Sequence, residues 1–340
     1  MADGHTPSIS VIVPTLNSER TLEACLGAIS GQDYPADLVE IIVADAGSTD
    51  RTLEIARRYT DRVYPNPLRT GEAGKAAGLR QASHAIVAFI DSDNILSHPR
   101  WFCQMVEPFA EEEIIGAEPV EYTYRRSDEL ITRYCALMGM NDPLCLFLGN
   151  YDRYNQITGK WTEAPLDDLR DCGTYLRFDV QPRKMPTIGA NGFMVRRSTL
   201  EGVDVGEYLF DVDLLYDLAL QGRRTYAKVK TGIVHVFSGT VGTFVRKQRR
   251  RMRDYRYYSS LGLRKYPWRK LEKWRLLKFI VYCVLIFPLL IQAAVGYVRK
   301  PDVAWLFHPL ACVVTLGVYG TETIRSLFVK REYERRGWSQ

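Results

Sequence analysis

Three times within its first ninety-four residues the chain runs an apolar segment straight into a cluster of polar residues. Residues 8–13, SISVIV, end in Pro14-Thr15-Leu16-Asn17-Ser18-Glu19. Residues 39–44, VEIIVA, end in Asp45-Ala46-Gly47-Ser48-Thr49-Asp50. Residues 85–90, AIVAFI, end in Asp91-Ser92-Asp93-Asn94. Short continuous apolar runs read as strands buried on both faces, as in parallel sheets. Between the first two, LEACLGAI has helical spacing with Asn17 or Ser18 as its cap, and a second helix is predicted from near Thr52. Strand, helix, strand, helix, strand predicts a parallel sheet with right-handed crossovers. Its three polar strand ends then meet at one rim, where open α/β sheets bind ligands. A lone Asp-x-Asp also reads as a helix cap or a turn.

The 340 residues suffice for one large domain with appendages, or for two domains. The seven cysteines are scattered without a Cys-x-x-Cys pair, which predicts a reducing compartment and inert thiols. The polar start, MADGHTPS, has no apolar segment of the signal-peptide kind. The net charge of +5 conceals an asymmetry, because residues 246–278 carry fourteen Lys/Arg against two acids. An uncharged stretch, 279–298, follows, and a second apolar stretch covers 303–320. Twenty helical residues span about 30 Å, the thickness of a bilayer core. Two transmembrane helices are therefore expected, although Pro288 and Pro309 sit inside them and a buried core helix is the competing reading. The basic block before and the basic run 330–336 after place both ends in the cytoplasm. Trp268, Trp274, Tyr282, Tyr297 and Trp305 suit interfacial anchors. On this reading the basic block lies on an anionic membrane surface and does not bind nucleic acid.

PTLNSE, VADAGSTD and IDSDN, in this order and spacing, resemble the nucleotide-sugar-binding half of family 2 inverting glycosyltransferases, over about residues 8 to 260. The resemblance implies an α/β, Rossmann-like, mostly parallel GT-A catalytic domain in residues 1–245. A basic amphipathic membrane-surface segment is expected at 246–278, two transmembrane helices at 279–325 and a cytoplasmic basic tail at 326–340. It also implies that the donor, a nucleotide diphosphate sugar such as a UDP-sugar, meets Pro14, Thr15, Asn17, Glu19 and Ser92. Asp45 would accept from the base N–H; Ala46 stands where the family usually has a second Asp. Residues 71–78 resemble the family's small-residue loop, and there Gly74 allows close backbone approach. Lys75 faces either a phosphate or solvent.

The same resemblance gives Asp93 a direct contact to a divalent cation, Mn2+ or Mg2+, with Asp91 at the ribose or the metal and Asn94 assisting. His235 is either a metal or diphosphate neighbour or a structural histidine. The general base is expected at a helix start, where Asp211 matches best and Asp213 competes. Gly189-Ala190-Asn191-Gly192 resembles the loop beside the acceptor. The glycines after His235 suggest a mobile loop that closes over the donor. Gln248 and Arg251 resemble the Gln-x-x-Arg-Trp element of membrane-bound synthases, with Arg251 as a diphosphate clamp. Met252 replaces the aromatic residue, which weakens a processive reading. Residues 134–149, YCALMGMNDPLCLFLG, are either core or a cover for an acceptor lipid.

The expected function is metal-dependent transfer to a lipid-linked acceptor, a polyprenyl phosphate or a lipid-linked saccharide, at the cytoplasmic membrane face. A homo-oligomer is compatible with such an anchor. A processive polysaccharide synthase is the alternative, and a non-catalytic scaffold the alternative from another class.

Overall fold

The computed structural model describes residues 6–267 and 273–328; Trp268 and the basic run 330–336, named above, lie outside them. The strands are β1 (Ile9–Thr15), β2 (Val39–Asp45), β3 (Val63–Pro65), β4 (Ile86–Phe89), β5 (Asn94–Leu96), β6 (Gly116–Tyr122), β7 (Leu166–Asp171), β8 (Tyr175–Val180), β9 (Phe193–Arg196) and β10 (Thr225–His235). The helices of the sheet region are α1 (Leu22–Ser30), α2 (Thr52–Arg57), α3 (Gly71–Leu79), α4 (Trp101–Val106), α5 (Leu130–Met138), α6 (Leu144–Leu148), α7 (Arg197–Leu200) and α8 (Asp211–Leu220). Beyond them come α9 (Val241–Ser260), α10 (Lys273–Leu285), α11 (Phe287–Arg299) and α12 (Phe307–Phe328).

The three apolar runs form β1, β2 and β4, and all of β1 and β4 is buried. One mixed sheet results, in the order β3-β2-β1-β4-β9-β6-β10-β8-β7, with β5 paired to β10. Strands β1, β2, β3 and β4 are parallel, whereas β9 runs antiparallel to both β4 and β6. Register then decides what meets at the rim. Thr15 pairs with Asp45, Phe89 with Phe193, and His235 with Asn94. The first helix begins later than its sequence suggested, with Thr21 as N-cap. Asn17 is diverted, because its Oδ1 accepts from the Thr49 backbone N–H at 2.9 Å and ties the first polar loop to the second.

The segment expected to cross the membrane as one helix, 279–298, is broken. Ile286 has φ +60°, and α10 and α11 meet at a bend of 93°. Pro288 has no N–H to donate, and its ring clashes with the carbonyl four residues back, so a straight helix is blocked there. Among the described residues one helical stretch, Val303–Ser326, is long and apolar enough to cross a membrane by itself. Trp305 is buried against Gly296 instead of sitting at an interface.

The basic block stays at the surface, where ion pairs tie it to the rest of the protein. Arg249 and Arg253 of α9 pair with the buried Glu322 of α12, Arg264 with Asp213, and Lys265 with Asp217. Arg275 donates to the carbonyls of Phe147 and Leu148. Residues 134–149 prove to be core, but a core shared with the C-terminal helices. Tyr134, Leu137, Met138 and Phe147 cluster with Phe237, Phe244, Phe279, Leu289 and Trp305.

Candidate active site

Strand ends and helix starts converge at the rim of the sheet. The β1 and β2 loops form a braced floor. Asp45 accepts from Thr15 Oγ1 at 2.9 Å, from Ser48 Oγ at 2.6 Å, and from the backbone N–H groups of Gly47 and Ser48, each at 2.9 Å. These four bonds fill the usual capacity of a carboxylate. A base N–H arriving at Asp45 would therefore displace one of them, and the Ser48 hydroxyl is free to rotate away. Glu19 accepts from the Arg51 N–H at 3.1 Å, so it too braces the loop. A cavity of about 400 Å³ opens beside this floor, lined by Asp45, Ala46, Tyr64, Asn66 and Arg69 among others. Ala46 leaves room there that an acid would fill. A larger cavity, about 490 Å³, lies around Arg196 and Arg224, at the end of β10 remote from His235. Gly74 holds α3 against β1, since a Cβ there would stand 2.8 Å from Pro14 Cβ.

Asp93 follows β4 and faces β10. Its Oδ1 lies 3.5 Å from His235 Nε2 and its Oδ2 3.3 Å from Lys247 Nζ. Burial alone would raise the Asp93 carboxyl, but His235 and then Lys247 overcome it and hold the group well below the usual carboxylate range. The second acid of the motif acts on a different neighbour: Asp91 adds its field to Lys75 and Asp211. Ser92 Oγ lies 2.9 Å from Ser18 Oγ, joining the third loop to the first. Asn94 Nδ2 donates to Asn191 Oδ1 at 3.1 Å, and Asn191 Nδ2 donates to the Tyr122 hydroxyl at 3.0 Å. The expected acceptor loop is thereby stitched to the motif.

No group of three acid, His or Cys side chains converges among the described residues. A carboxylate and an imidazole do converge, a donor pair suited to a divalent cation whose other ligands come from phosphate oxygens. His235 Nδ1 faces the Asn141 side-chain amide at 3.2 Å, and Asn141 Oδ1 is buried with no other partner. With that amide turned so that Oδ1 accepts from Nδ1–H, both groups are satisfied, and Nε2, whose proton faces Asp93 in the metal-free protein, can give up that proton and offer its lone pair to a cation. That is the ligating tautomer, so these residues fit a metal. Sequence reasoning missed Asn141; an amide in an apolar segment was its only signal.

Asp211 opens α8. Lys75 Nζ donates to both its oxygens, at 2.8 and 2.9 Å, so Lys75 faces neither phosphate nor solvent here. Burial pushes the Asp211 carboxyl up to about 6, against the pull of Lys75 and with help from Asp91 and Glu72. Gly189 (φ +115°) packs on this pair, because a Cβ there would stand 2.8 Å from Asp211 Cβ. The two candidate acids part company. Residues two apart on a helix point to nearly opposite sides. Asp213 accepts from Arg264 and from the backbone N–H of Tyr266 at 2.8 Å, so it anchors the segment after α9 instead of facing the acceptor.

Two further expectations change. Gln248 is buried, donating to Asn141 O at 2.6 Å and accepting from Tyr319, while Arg251 donates to Gln248 Oε1 at 2.8 Å. They brace α9 against α12 and the Asn141 turn, and Lys247 is the α9 cation that reaches Asp93. The stretch after His235 is no long lid. Phe237 is buried, and Ser238 N–H donates to Thr132 Oγ1 at 3.3 Å. A Cβ at Gly239 would meet the carboxylate of the exposed Glu129 side chain.

Behind the Gly189–Gly192 loop lies a buried charge cluster that the sequence did not announce. Arg153, fully buried, pairs with Glu118 at 3.0 Å and with Asp152. It donates to the carbonyls of Ala190 and Asn191 at 3.0 and 3.2 Å. Lys228 pairs with Glu118 on the other side. Glu118 Oε2 in turn accepts from Gly189 N–H at 3.3 Å.

A carboxylate–imidazole pair and a lysine-held carboxylate at one sheet rim are the kinds of groups a group-transfer enzyme uses. The Glycosyl transferase family 2 model matches residues 10–203, more than half the chain. The protein belongs to that family. It is 31% identical over 142 residues to glycosyltransferase AglE of Haloferax volcanii, covering 39% of this chain and 46% of that protein. It is 37% identical over 128 residues to glucosyl-3-phosphoglycerate synthase of Mycobacterium tuberculosis, covering 35% and 38%. The matched stretches thus span less than half of these relatives. The mannosyltransferase PcManGT of Pyrobaculum calidifontis, solved with GDP-Man and Mn2+, shares the fold. It superposes over 96% of this chain and 89% of its own, with TM-score 0.53 and 18% identity.

Proposed function

We propose that this chain is a metal-dependent inverting glycosyltransferase. It moves a sugar from a nucleotide diphosphate sugar, UDP-linked, to a lipid-linked acceptor at the cytoplasmic face of a membrane. The observation that carries the reading is the pairing at one rim of a low-affinity-for-protons carboxylate, Asp93 with His235, and a raised one, Asp211 with Lys75. Carboxylates pushed apart in this way serve different roles. The first pair would hold Mn2+ or Mg2+, which supplies charge neutralisation for the departing diphosphate. Asp211 takes the proton of the acceptor hydroxyl as its oxygen bonds to the anomeric carbon. The anomeric carbon–phosphate oxygen bond breaks, and the nucleoside diphosphate leaves with the electron pair. Lys75 keeps Asp211 ionised before the proton arrives.

The braced loops around Asp45 and the adjoining cavity offer a seat for the nucleoside. The relative named glucosyl-3-phosphoglycerate synthase points by its name to a small acidic acceptor. The apolar surface of α10 and α11 favours a lipid-borne one. Anchoring beside such an acceptor raises its effective concentration.

The test is a panel of nucleotide sugars scored by nucleoside diphosphate release in membranes, with Mn2+ or Mg2+ added or chelated. Asp93→Ala is expected to abolish metal-dependent release. Asp211→Asn is expected to lower it by more than tenfold, about 1.4 kcal/mol of barrier. Full metal-dependent turnover in Asp93→Ala would overturn the assignment.

A further inference from the structure

The exposed apolar surface of this protein is concentrated on the α10–α11 elbow. Its apex is strongly exposed: Val284 is 72% exposed, Leu285 61% and Phe287 67%, and Val298 near the outer end of α11 reaches 80%. Leu277, Ile280 and Val281 line one arm, and Leu290, Ile291 and Val298 the other. One stripe of each arm faces the protein, through Phe279 and Cys283 in α10 and Leu289, Ala293 and Gly296 in α11. A chain of this length ordinarily hides such an area.

Polarity is graded along the elbow. The apex carries no polar side chain. The outer end of α10 carries the exposed Lys273 and Trp274, and that of α11 carries Tyr297 and Arg299. Aromatic and basic residues of this kind settle at the headgroup level, and aliphatic ones below it. Each arm has thirteen residues. Arms of about 20 Å meeting near a right angle reach about 14 Å below the line joining their ends, roughly one leaflet of a ~30 Å core.

The remaining span-length helix is not available to cross alone. The second half of α12 is fastened to the catalytic region through Tyr319 to Asp142 at 2.5 Å and Glu322 to Arg253 at 3.1 Å. Ion pairs of that kind belong outside the hydrocarbon. Leu306, just before α12, and Leu310 within its first half are exposed as well.

We propose that the described helices do not cross the bilayer. The α10–α11 elbow dips into one leaflet and returns, with both outer ends on the side of the active site. The occupant of the apolar face is a lipid leaflet with anionic headgroups, matched by Lys273 and Arg299 at the rim of the wedge, with Lys278 midway along α10 reaching up toward it. The seat takes up the membrane part of the proposed function, but its tests read position and not transfer. Either reading can therefore fail alone.

The experiment uses full-length protein in sealed vesicles of phosphatidylglycerol and phosphatidylcholine. Lys273→Cys and Pro301→Cys are labelled with a membrane-impermeant thiol reagent and read by peptide mass, with the exposed native Cys172 marking the catalytic side. Both introduced cysteines are expected to label together with Cys172. A spin-label quencher deep in the acyl chains is expected to quench a fluorophore on Phe287→Cys more than one at headgroup depth. Leu285→Glu with Phe287→Glu is expected to lower the vesicle-bound fraction at least tenfold without changing the thermal melting of the protein. Labelling of residues 273 and 301 from opposite sides would overturn the proposal. So would a fluorophore at 287 that no lipid quencher reaches while the protein self-associates through that face.

Discussion

The chemistry assigned to Asp211 depends on Lys75 more than on Asp211 itself. The folded carboxyl sits near 6 with the lysine present, above its ordinary value, so activity that needs the ionised base falls as pH drops through about 6. Lys75→Met removes the cation and leaves the burial. The acid limb of the pH–rate profile is then expected to move upward by about one unit or more, with transfer at pH 7 falling accordingly. An unmoved limb would show that another group governs it. Asn141 offers a second residue-scale test. Outer partners of metal-bound histidines typically affect metal affinity by about 10–100-fold. Asn141→Ala is expected to weaken Mn2+ binding in that range by titration calorimetry, without donor present. Asn141→Asp, which keeps an acceptor for Nδ1–H, is expected to restore it.

Among elements, the Gly189–Gly192 loop between β8 and β9 is positioned from behind. Arg153 holds the carbonyls of Ala190 and Asn191 while its own charge is matched by Glu118 and Asp152. Removing one member of a buried ionic group leaves the others uncompensated, at about 3–5 kcal/mol. Arg153→Met is thus expected to lower the melting temperature. Arg153→Lys keeps a charge but loses the forked donor, so it is expected to reduce kcat with little change in the KM for donor. Equal loss in both would reduce Arg153 to a stabiliser. This cluster was illegible in the sequence because Glu118, Arg153 and Lys228 come from three distant elements and carry no local pattern. The strand ends were legible for the opposite reason: β4 is an unbroken apolar run, β1 and β2 are apolar but for Ser10 and Glu40, and each runs directly into a polar cluster. The arginines of α9 lie at the surface as their pattern suggests, but the pattern did not show that Arg249 and Arg253 are tied down. Their partner, Glu322, lies about seventy residues downstream, where only the fold brings it close.

At the scale of the whole molecule, the C-terminal helices are part of the body that builds the site. One core joins α5 and α6 to α10, α11 and α12, and the Asn141 turn that faces His235 lies between α5 and α6. A break drawn from hydropathy alone, with a free-standing catalytic region ahead of a membrane anchor, ignores that shared core. Cutting the chain after residue 267 would expose the sides of Tyr134, Phe147, Phe237 and Phe244 that now pack on α10–α12 or on one another. At about 1.5–3 kcal/mol for each large side chain returned to water, the loss is comparable with the 5–15 kcal/mol that holds an ordinary domain folded. The truncated chain is expected to lose cooperative melting and Mn2+ binding together, even in detergent. If it instead melted cooperatively and bound Mn2+ like the full chain, the helices would be an appendage. The way Gln248 and Tyr319 brace the Asn141 turn would then have no bearing on the metal pair.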